Sequence, residues 1–265
     1  MQKSFQVLDH GYLNYIEHWG SDERIIEAAR MSTAKGFRSW ESYFECRECG
    51  KWWMETEQPG CEHSMQDWVK NPRGDLGLLS HLFLSKPQHS TPFEMAGVVI
   101  EVMAPIMVFR EWHRHRTQSY NEMSARYTPL PNANYIPSVE RLTVGSDGKN
   151  KQAGTVRGAG VLTEADAESF RKGLRLIYHN QEQLYQTALA LGVPKELARV
   201  HLPVGRYSRM RASANLLNWL KFLTLRNHPK AQWEIRQYAS VLGTLVKELF
   251  PKTWSLFEES RSGQS

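Results

Sequence analysis

The chain has 265 residues, of which 41% are hydrophobic and 23% are charged, so it can bury a substantial core. This composition excludes a disordered or fibrous protein, and the sequence shows neither an apolar run long enough to cross a membrane nor the pattern of a secretion signal. We therefore expect a single-domain cytoplasmic protein, and the net charge of +5 favours anionic partners, either phosphorylated small molecules or nucleic acid.

The first third of the chain predicts two helices separated by an unusual stretch. Residues 22–31 predict a helix capped by Ser21 or Asp22. Residues 36–75 lose this periodicity and combine several Trp residues and all three cysteines with Gly, Pro and charges. This pattern indicates an insertion into a compact domain. A short helix is expected over residues 76–84.

The middle of the chain predicts a strand followed by a helix. Residues 96–103 are nearly all apolar and partly β-branched, which is typical of a buried strand. Pro105 suits the first turn of a helix, which we expect to reach about His113. The polar residues from Arg114 onward would then lie in a loop or turn, where they can face a ligand.

The second half predicts a loop and two helices. Residues 143–160 are rich in Gly, Lys and Ser and predict a flexible surface loop. Thr163 begins a capping box, and the apolar periodicity that follows predicts a long helix of core scaffolding that ends at Gly192. A last informative helix is expected over residues 214–225. Its side chains at offsets of 3, 7 and 11 would share one face: Asn215, Asn218, Phe222 and Arg226.

Residues 114–127, the signature segment, concentrate side chains that bind anions. They include three Arg, one His, one Glu and several hydroxyl and amide groups. Guanidinium groups are permanently charged, forked donors that match phosphate oxygens two at a time. Taken alone, such a cluster is also typical of a solvated basic loop or a nucleic-acid-binding patch.

The spacing within the signature segment is more specific than its charge. Arg114-His115-Arg116, followed after seven residues by Ser124-Ala125-Arg126-Tyr127, resembles the signature of the flavin-dependent thymidylate synthases. Three further blocks resemble segments of that family and occur in its order. These blocks are residues 89–94, 192–203 and 215–226. The resemblance spans roughly residues 5–255.

This resemblance implies both a fold and a reaction. The implied fold is α/β of the α+β type, with a central, mainly antiparallel sheet and long helices, in a homotetramer whose active sites lie between subunits. The implied reaction is the reductive methylation of dUMP to dTMP, with methylenetetrahydrofolate as carbon donor, NADPH as reductant and FAD as hydride carrier. No nucleic-acid or membrane partner is implied. This chemistry uses no Cys nucleophile, which agrees with the confinement of the cysteines to residues 46–61.

The family's residue roles carry over to matching positions. Arg226 matches the Arg that lies near the uracil ring and favours its ionised, nucleophilic form. The other positions matched to nucleotide contacts are Glu111, Arg114, Glu122, Ser124, Ala125, Arg126 and Arg199. The positions matched to flavin contacts are His89, Thr91, Glu94, Arg114, His115, Arg116, Glu122, Asn215 and Lys221, and His89 is also associated with the folate pocket.

Several of these residues also have an ordinary structural explanation. Taken singly, His89 is typical of a turn, Glu94 of an N-cap, Asn215 of a helix start and Arg226 of the C-terminal end of a helix.

Glu111 departs from the family pattern, in which many members carry Gln. A carboxylate at this position could repel a phosphate, pair with Arg110 or Arg114, or bind a hydroxyl group. A flavin-dependent methylase of UMP or of another pyrimidine nucleotide therefore remains an alternative. A more remote alternative is a basic nucleic-acid-binding protein, which would need no flavin and would give Arg226 no role.

A possible metal site lies in the insertion. Cys46, Cys49, Cys61 and His63 could offer three thiolates and an imidazole to a tetrahedral zinc ion. Only the first pair has the usual ligand spacing, so zinc is not favoured over a reduced, Trp-rich loop with exposed thiols. The implied reaction needs no metal.

Overall fold

The computed structural model describes residues 3–143 and 162–262, so the loop predicted over residues 143–160 lies, apart from Thr143, outside the described residues. The chain forms two compact units. Of the described residues, those within the ranges 1–17, 99–214 and 221–243 belong to unit 1, and those within 18–98, 215–220 and 244–265 belong to unit 2. The single domain expected from the sequence stays a prediction. No helix of the described residues has the length and apolar character needed to cross a membrane.

The described residues form eight strands and nine α-helices. The strands are β1 (Ser4–Val7), β2 (Gly11–Trp19), β3 (Tyr43–Cys46), β4 (Trp52–Met54), β5 (Trp68–Asn71), β6 (Gly97–Pro105), β7 (Ser119–Glu122) and β8 (Tyr207–Asn215). The helices are α1 (Asp22–Arg30), α2 (Gly74–Leu84), α3 (Ile106–Trp112), α4 (Val139–Thr143), α5 (Glu164–Ala190), α6 (Lys195–Ala198), α7 (Leu216–Arg226), α8 (Trp233–Leu249) and α9 (Pro251–Ser262). This content confirms the mixed fold expected from the sequence.

Most of unit 1 is built on a five-stranded sheet in the order β1, β2, β6, β8, β7, in which β1 pairs with β2 and β7 with β8 in antiparallel register. The predicted buried strand is confirmed as β6. Every second residue of β6 is fully buried, whereas Glu101 lies on the other face and accepts hydrogen bonds from Tyr12 and Arg211. The strand ends at Pro105, and α3 begins at the next residue as predicted.

The long helix predicted after Thr163 is confirmed as α5, with the Thr163 hydroxyl accepting from the Asp166 amide. Its expected role as core scaffolding is wrong within this chain, because its buried residues are only Ala167 and Tyr185. The buried Arg206 guanidinium donates to Glu182 of α5 and so links the segment that precedes β8 to one side of the helix. The apolar periodicity predicted the helix correctly but could not show what would cover its apolar stripe.

Unit 2 contains α1, α2 and α9. Ser21 caps α1 as expected, since its hydroxyl accepts from the Arg24 amide. The buried Asp22 carboxylate instead caps a different helix, because it accepts from the amides of Lys252 and Thr253 in the first turn of α9. Burial raises the pKa of Asp22, and these hydrogen bonds oppose that shift. The predicted short helix is confirmed as α2.

The insertion in unit 2 forms a three-stranded antiparallel sheet in the order β4, β3, β5, which the sequence pattern did not reveal. It is fastened at Asp75, whose fully buried carboxylate receives hydrogen bonds from the Arg30 guanidinium, the Tyr43 hydroxyl and the Arg38 amide. Strand β3 is thereby tied to α1 and to the start of α2. This buried ion pair is the main polar contact that positions the insertion.

Replacement of Asp75 by Ala should therefore be costly. The Arg30 guanidinium would remain largely buried without its counter-ion, and loss of one partner from such a pair costs about 3–5 kcal/mol in the free energy of unfolding. Chemical denaturation of the native and Asp75→Ala chains measures this loss.

A matched control is Glu27→Ala, which breaks the exposed pair between Arg24 and Glu27. Its cost should stay below about 1 kcal/mol. If both variants unfold at the same denaturant concentration, Asp75 does not anchor the insertion.

Candidate active site

Trp112 determines where the signature segment begins. It is the last residue of α3 and is fully buried, with ring centroids 4.7 Å from Phe222 and 6.4 Å from Tyr238. Its indole Nε1 donates to Gln118 Oε1 at 3.0 Å, which folds the following residues back on the helix end. The Tyr120 hydroxyl donates to the His115 carbonyl oxygen at 2.7 Å, and burial raises the pKa of Tyr120, so this phenol remains a donor.

The signature segment forms a turn and then the short edge strand β7, rather than the loop or turn expected throughout. Arg114, Arg116 and Arg126 are exposed. The described residues give none of these guanidiniums a carboxylate partner, and Arg126 lies over the Tyr127 ring at 5.5 Å. Their donors are thus available to an external anion, and the chemistry of the donor set suits phosphate or pyrophosphate oxygens.

Arg226 makes contacts that join α7 to the end of α3. Its Nη1 donates to Glu111 Oε2 at 2.7 Å, its Nη2 to the Glu111 carbonyl oxygen at 2.9 Å, and its Nε to His115 Nε2 at 2.8 Å. The sequence suggested Arg110 or Arg114 as the partner of Glu111. The fold instead pairs Glu111 with Arg226, because the end of α7 packs beside the end of α3.

His115 is a neutral acceptor in this arrangement. Burial and the adjacent Arg226 charge lower the pKa of His115 from 6.5 to about 4, and only Glu111 opposes them. Because Nε2 accepts from Arg226, the ring proton must lie on Nδ1. The ring also packs edge-on against Phe222, with centroids 4.8 Å apart. His115 therefore orients the guanidinium without adding a second positive charge.

The contacts of Arg226 leave part of its donor capacity unused. A guanidinium has five N–H groups, and three of them are used by Glu111 and His115. One N–H on each Nη nitrogen remains for a ligand. A preoriented cation of this kind can stabilise negative charge that develops on a bound ring.

The end of the signature segment forms a turn beside α6. The Ser124 carbonyl oxygen accepts from the Tyr127 amide, and its hydroxyl accepts from the Arg126 amide at 3.4 Å. Lys195 Nζ donates to the Tyr127 carbonyl oxygen at 2.9 Å, so α6 lies against this turn. Arg199 follows α6 directly and is half-buried. Lys195 lies within the 192–203 block, but no sequence pattern predicts its contact with Tyr127.

The remaining nucleotide and flavin candidates of unit 1 differ in exposure. Ala125 is buried, whereas Glu122 is exposed on β7, with one carboxylate oxygen 3.9 Å from His113 Nε2. Lys221 is an exposed residue of α7. Their roles toward nucleotide and flavin stay predictions.

The candidates in unit 2 lie on exposed turns and at a helix start. His89 is exposed, with its ring centroid 5.7 Å from that of His81. Thr91 and Glu94 bound a 3-10 turn anchored by the buried Phe93, just before β6. Asn215 Oδ1 accepts from the Asn218 amide at 2.9 Å and so caps α7, which is the ordinary structural role considered for it. The flavin roles of these residues also stay predictions.

Comparison with known sequences agrees with the family resemblance of the signature segment. Residues 14–252 match the family model described as "Thymidylate synthase complementing protein". The chain is 34% identical over 253 residues to a flavin-dependent thymidylate synthase of Thermus thermophilus, which covers 96% of this chain and 77% of that protein. It is 32% identical over 256 residues to the enzyme of the same name from Thermosipho africanus, covering 96% and 93%.

Comparison with solved structures adds a nucleotide methylase. The fold is similar to that of the UMP/dUMP methylase PolB from Streptomyces cacaoi bound with 5-Br UMP, with a TM-score of 0.71, 27% identity and coverage of 96% of this chain and 97% of that one. The form bound with 5-Br dUMP gives a TM-score of 0.69 and 28% identity with the same coverage.

The depressed pKa of His115 can be tested by NMR titration of its imidazole carbons, assigned with a His115→Gln variant. We expect no change of charge between about pH 5.5 and 8, the range in which an ordinary His titrates. In Arg226→Gln the pKa should rise, because a nearby positive charge is removed, but should stay below 6.5 because burial persists. A native His115 that titrates near 6.5 would show that its imidazole is not the buried, neutral acceptor of Arg226.

Proposed function

This chain belongs to the flavin-dependent thymidylate synthase family, and we propose that it converts dUMP to dTMP with methylenetetrahydrofolate, NADPH and FAD. The observation that carries the proposal is the position of Arg226, which is oriented by Glu111 and His115 beside the start of the signature segment. The match of residues 14–252 to the family model supports it.

The donor set of the signature segment fits a flavin and a nucleotide. Bound FAD would supply hydride transfer to the new carbon substituent, with NADPH as the source of the hydride. Arg114 and Arg116 would hold the pyrophosphate, because both are exposed, permanently charged and without carboxylate partners among the described residues. Arg126, Ser124 and Arg199 would hold the phosphate of dUMP beside the turn fastened by Lys195.

Arg226 would act on the uracil ring. Its two remaining N–H groups can donate to the ring as it becomes anionic and nucleophilic at carbon. His115 is neutral, so it holds Nε of Arg226 without competing for the developing negative charge. The guanidinium also keeps one geometry, since Glu111 binds two of its nitrogens. Rotation of the cation is therefore restricted before the substrate arrives.

Tritium release from dUMP labelled at uracil C5 tests this role, with FAD, methylenetetrahydrofolate and NADPH present. The native chain should release tritium, and Arg226→Ala should reduce the rate by about 100-fold or more, the usual cost of removing a preoriented charge donor.

The control is Arg24→Ala, which removes an exposed Arg of α1 and should leave the rate unchanged. If the native chain releases no tritium from any pyrimidine nucleotide, the enzyme assignment fails. Equal rates for native and Arg226→Ala chains would refute only the role of Arg226.

Methylation of UMP is a second candidate function, and Glu111 is the observation that favours it. The side chain is 43% exposed, and only its Oε2 contacts Arg226, so Oε1 can accept a hydrogen bond from a hydroxyl group. The structurally similar PolB is a UMP/dUMP methylase. A ribose hydroxyl bound to this carboxylate would favour UMP.

Comparison of labelled UMP with labelled dUMP separates the two substrates. If Glu111 binds the ribose 2′-hydroxyl, Glu111→Gln should lower the UMP-to-dUMP ratio of release rates by about 10-fold, because a hydrogen bond to a charged group becomes a neutral one. An unchanged ratio would exclude Glu111 from ribose recognition and leave the proposed synthesis of dTMP from dUMP unaffected.

The exposed stripe of α5 supports the homotetramer as part of this proposal. Phe170, Ile177 and Leu184 of α5, together with Leu191 at its C-cap, recur every seven residues and are 51–78% exposed. An α-helix drifts only about 20° per seven residues, so they lie along one side. Apolar stripes of this kind are typical of contacts between helices of different subunits. A second copy of this chain would cover them.

Substitution of both Ile177 and Leu184 by Glu should dissociate the assembly. Each substitution removes about 1.5–3 kcal/mol of the free energy that burial of the apolar side chain contributes to association. Each new charge would also have to be desolvated at the interface. Sedimentation equilibrium should show a smaller species than the native chain. The control is His179→Glu, an exposed residue on another side of α5. An unchanged mass for the double variant would exclude the stripe as an interface.

A further inference from the structure

The insertion of unit 2 brings four potential metal ligands together. The Sγ atoms of Cys46, Cys49 and Cys61 and a ring nitrogen of His63 all lie within 4.8 Å of one another. The sequence did not favour this grouping, because the second pair lacks the usual spacing of metal ligands. The fold supplies the proximity that the spacing does not indicate.

The first pair lies at the turn between β3 and β4. Cys46 is the last residue of β3, and its amide donates to the Lys51 carbonyl oxygen at 2.9 Å. The Gly50 amide donates to the Cys46 carbonyl oxygen at 2.9 Å. Gly50 has φ +70°, a conformation that side chains disfavour, so it closes the turn tightly enough to direct both thiols to one side.

The second pair reaches the same place on the loop that follows β4. A Cβ at Gly60 would lie 3.3 Å from the Trp53 ring and 3.6 Å from the Trp52 carbonyl oxygen, so the loop runs close against β4. This approach delivers Cys61 and His63, which line one pocket with Cys49 and Lys51. Two separate segments therefore converge, as they do in structural zinc sites.

Apart from the Asp75 contacts, the insertion buries few apolar side chains that could hold it in one conformation. Between residues 36 and 73 only Tyr43, Cys46 and Trp53 are buried apolar side chains. The rings of Phe44, Trp53 and Trp68 pack together with centroids 5.0–6.5 Å apart, but Phe44 and Trp68 remain partly exposed. So small a core rarely stabilises a three-stranded sheet, and a cross-link or metal is the usual supplement.

We propose that Cys46, Cys49, Cys61 and His63 bind one structural Zn²⁺ per chain. Three thiolates and one imidazole are a closed tetrahedral set that suits zinc and leaves no position for a substrate. The ion would join the β3–β4 turn to the 55–64 loop and so replace the missing core. The four ligands take no part in the proposed reaction, because none of them is among the residues assigned to nucleotide or flavin.

Metal analysis of the purified full-length chain, produced with zinc available and then freed of loosely bound metal by gel filtration, tests the proposal. We expect about one zinc per chain in the native protein. Cys49→Ser and Cys61→Ser should each retain less than about one fifth of that amount, since thiolate ligands contribute strongly to zinc affinity. Glu48→Gln, between the first two cysteines, and His81→Ala, elsewhere in unit 2, should keep the full content.

A second measurement does not depend on the folding of the variants. Titration of the native chain with a mercurial thiol reagent, followed by a zinc-sensitive dye, should release zinc in step with modification of the three cysteines. Cobalt substituted for zinc should give the absorption of a tetrahedral thiolate complex.

Several outcomes would overturn the proposal. They are a native chain with negligible zinc, zinc that remains in both Ser variants, and three cysteines that are modified without release of metal. Iron in place of zinc would also overturn it. None of these readouts depends on catalytic activity, so failure here leaves the proposed methylation untouched, and the reverse also holds.

Discussion

The complete burial of Trp112 is the constraint on which the candidate site depends. A large indole at the end of α3 must be packed and its N–H must be paired, and Phe222, Tyr238 and Gln118 meet both needs. Packing against Phe222 brings α7 beside α3, and the bond to Gln118 folds the signature segment into a turn. The guanidiniums of that turn can then face outward, because the segment is anchored by its aromatic residues and not by its charges.

The charges around Arg226 form a compromise between orientation and electrostatic strength. A carboxylate from Glu111 holds the guanidinium firmly, but it also offsets part of the positive charge that an anionic ring would meet. A neutral His115 avoids adding repulsion between cations. An amide in place of the Glu111 carboxylate would orient Arg226 less strongly, but it would not offset the positive charge that Arg226 presents to the ring. The carboxylate is therefore better explained by a second function of Glu111, such as recognition of a substrate hydroxyl group.

The insertion and α5 both lack stabilising contacts within the described residues, but in different ways. The insertion has polar and thiol groups that converge without enough apolar burial to hold them, whereas α5 has apolar groups on a surface that nothing among this chain's described residues covers. In each case we propose that the missing stabilisation comes from outside the chain, from a metal ion for the insertion and from another subunit for α5. Both features are therefore informative about what the chain binds.

The amino-acid sequence alone was enough to predict the mixed fold, the boundaries of α1, α2, β6, α3 and α5 to within a few residues, and the family resemblance. Local periodicity, caps and motif spacing are sufficient for these. The folded structure was needed to establish that Glu111 pairs with Arg226, that Asp22 caps α9, that Lys195 contacts the signature turn, and that Cys61 and His63 lie close to Cys46 and Cys49. Each of these contacts joins segments distant in sequence, or with unusual spacing, so their proximity is set by packing and not by local pattern. For the same reason the periodicity of α5 showed an apolar side but could not show that it faces away from this chain's own core.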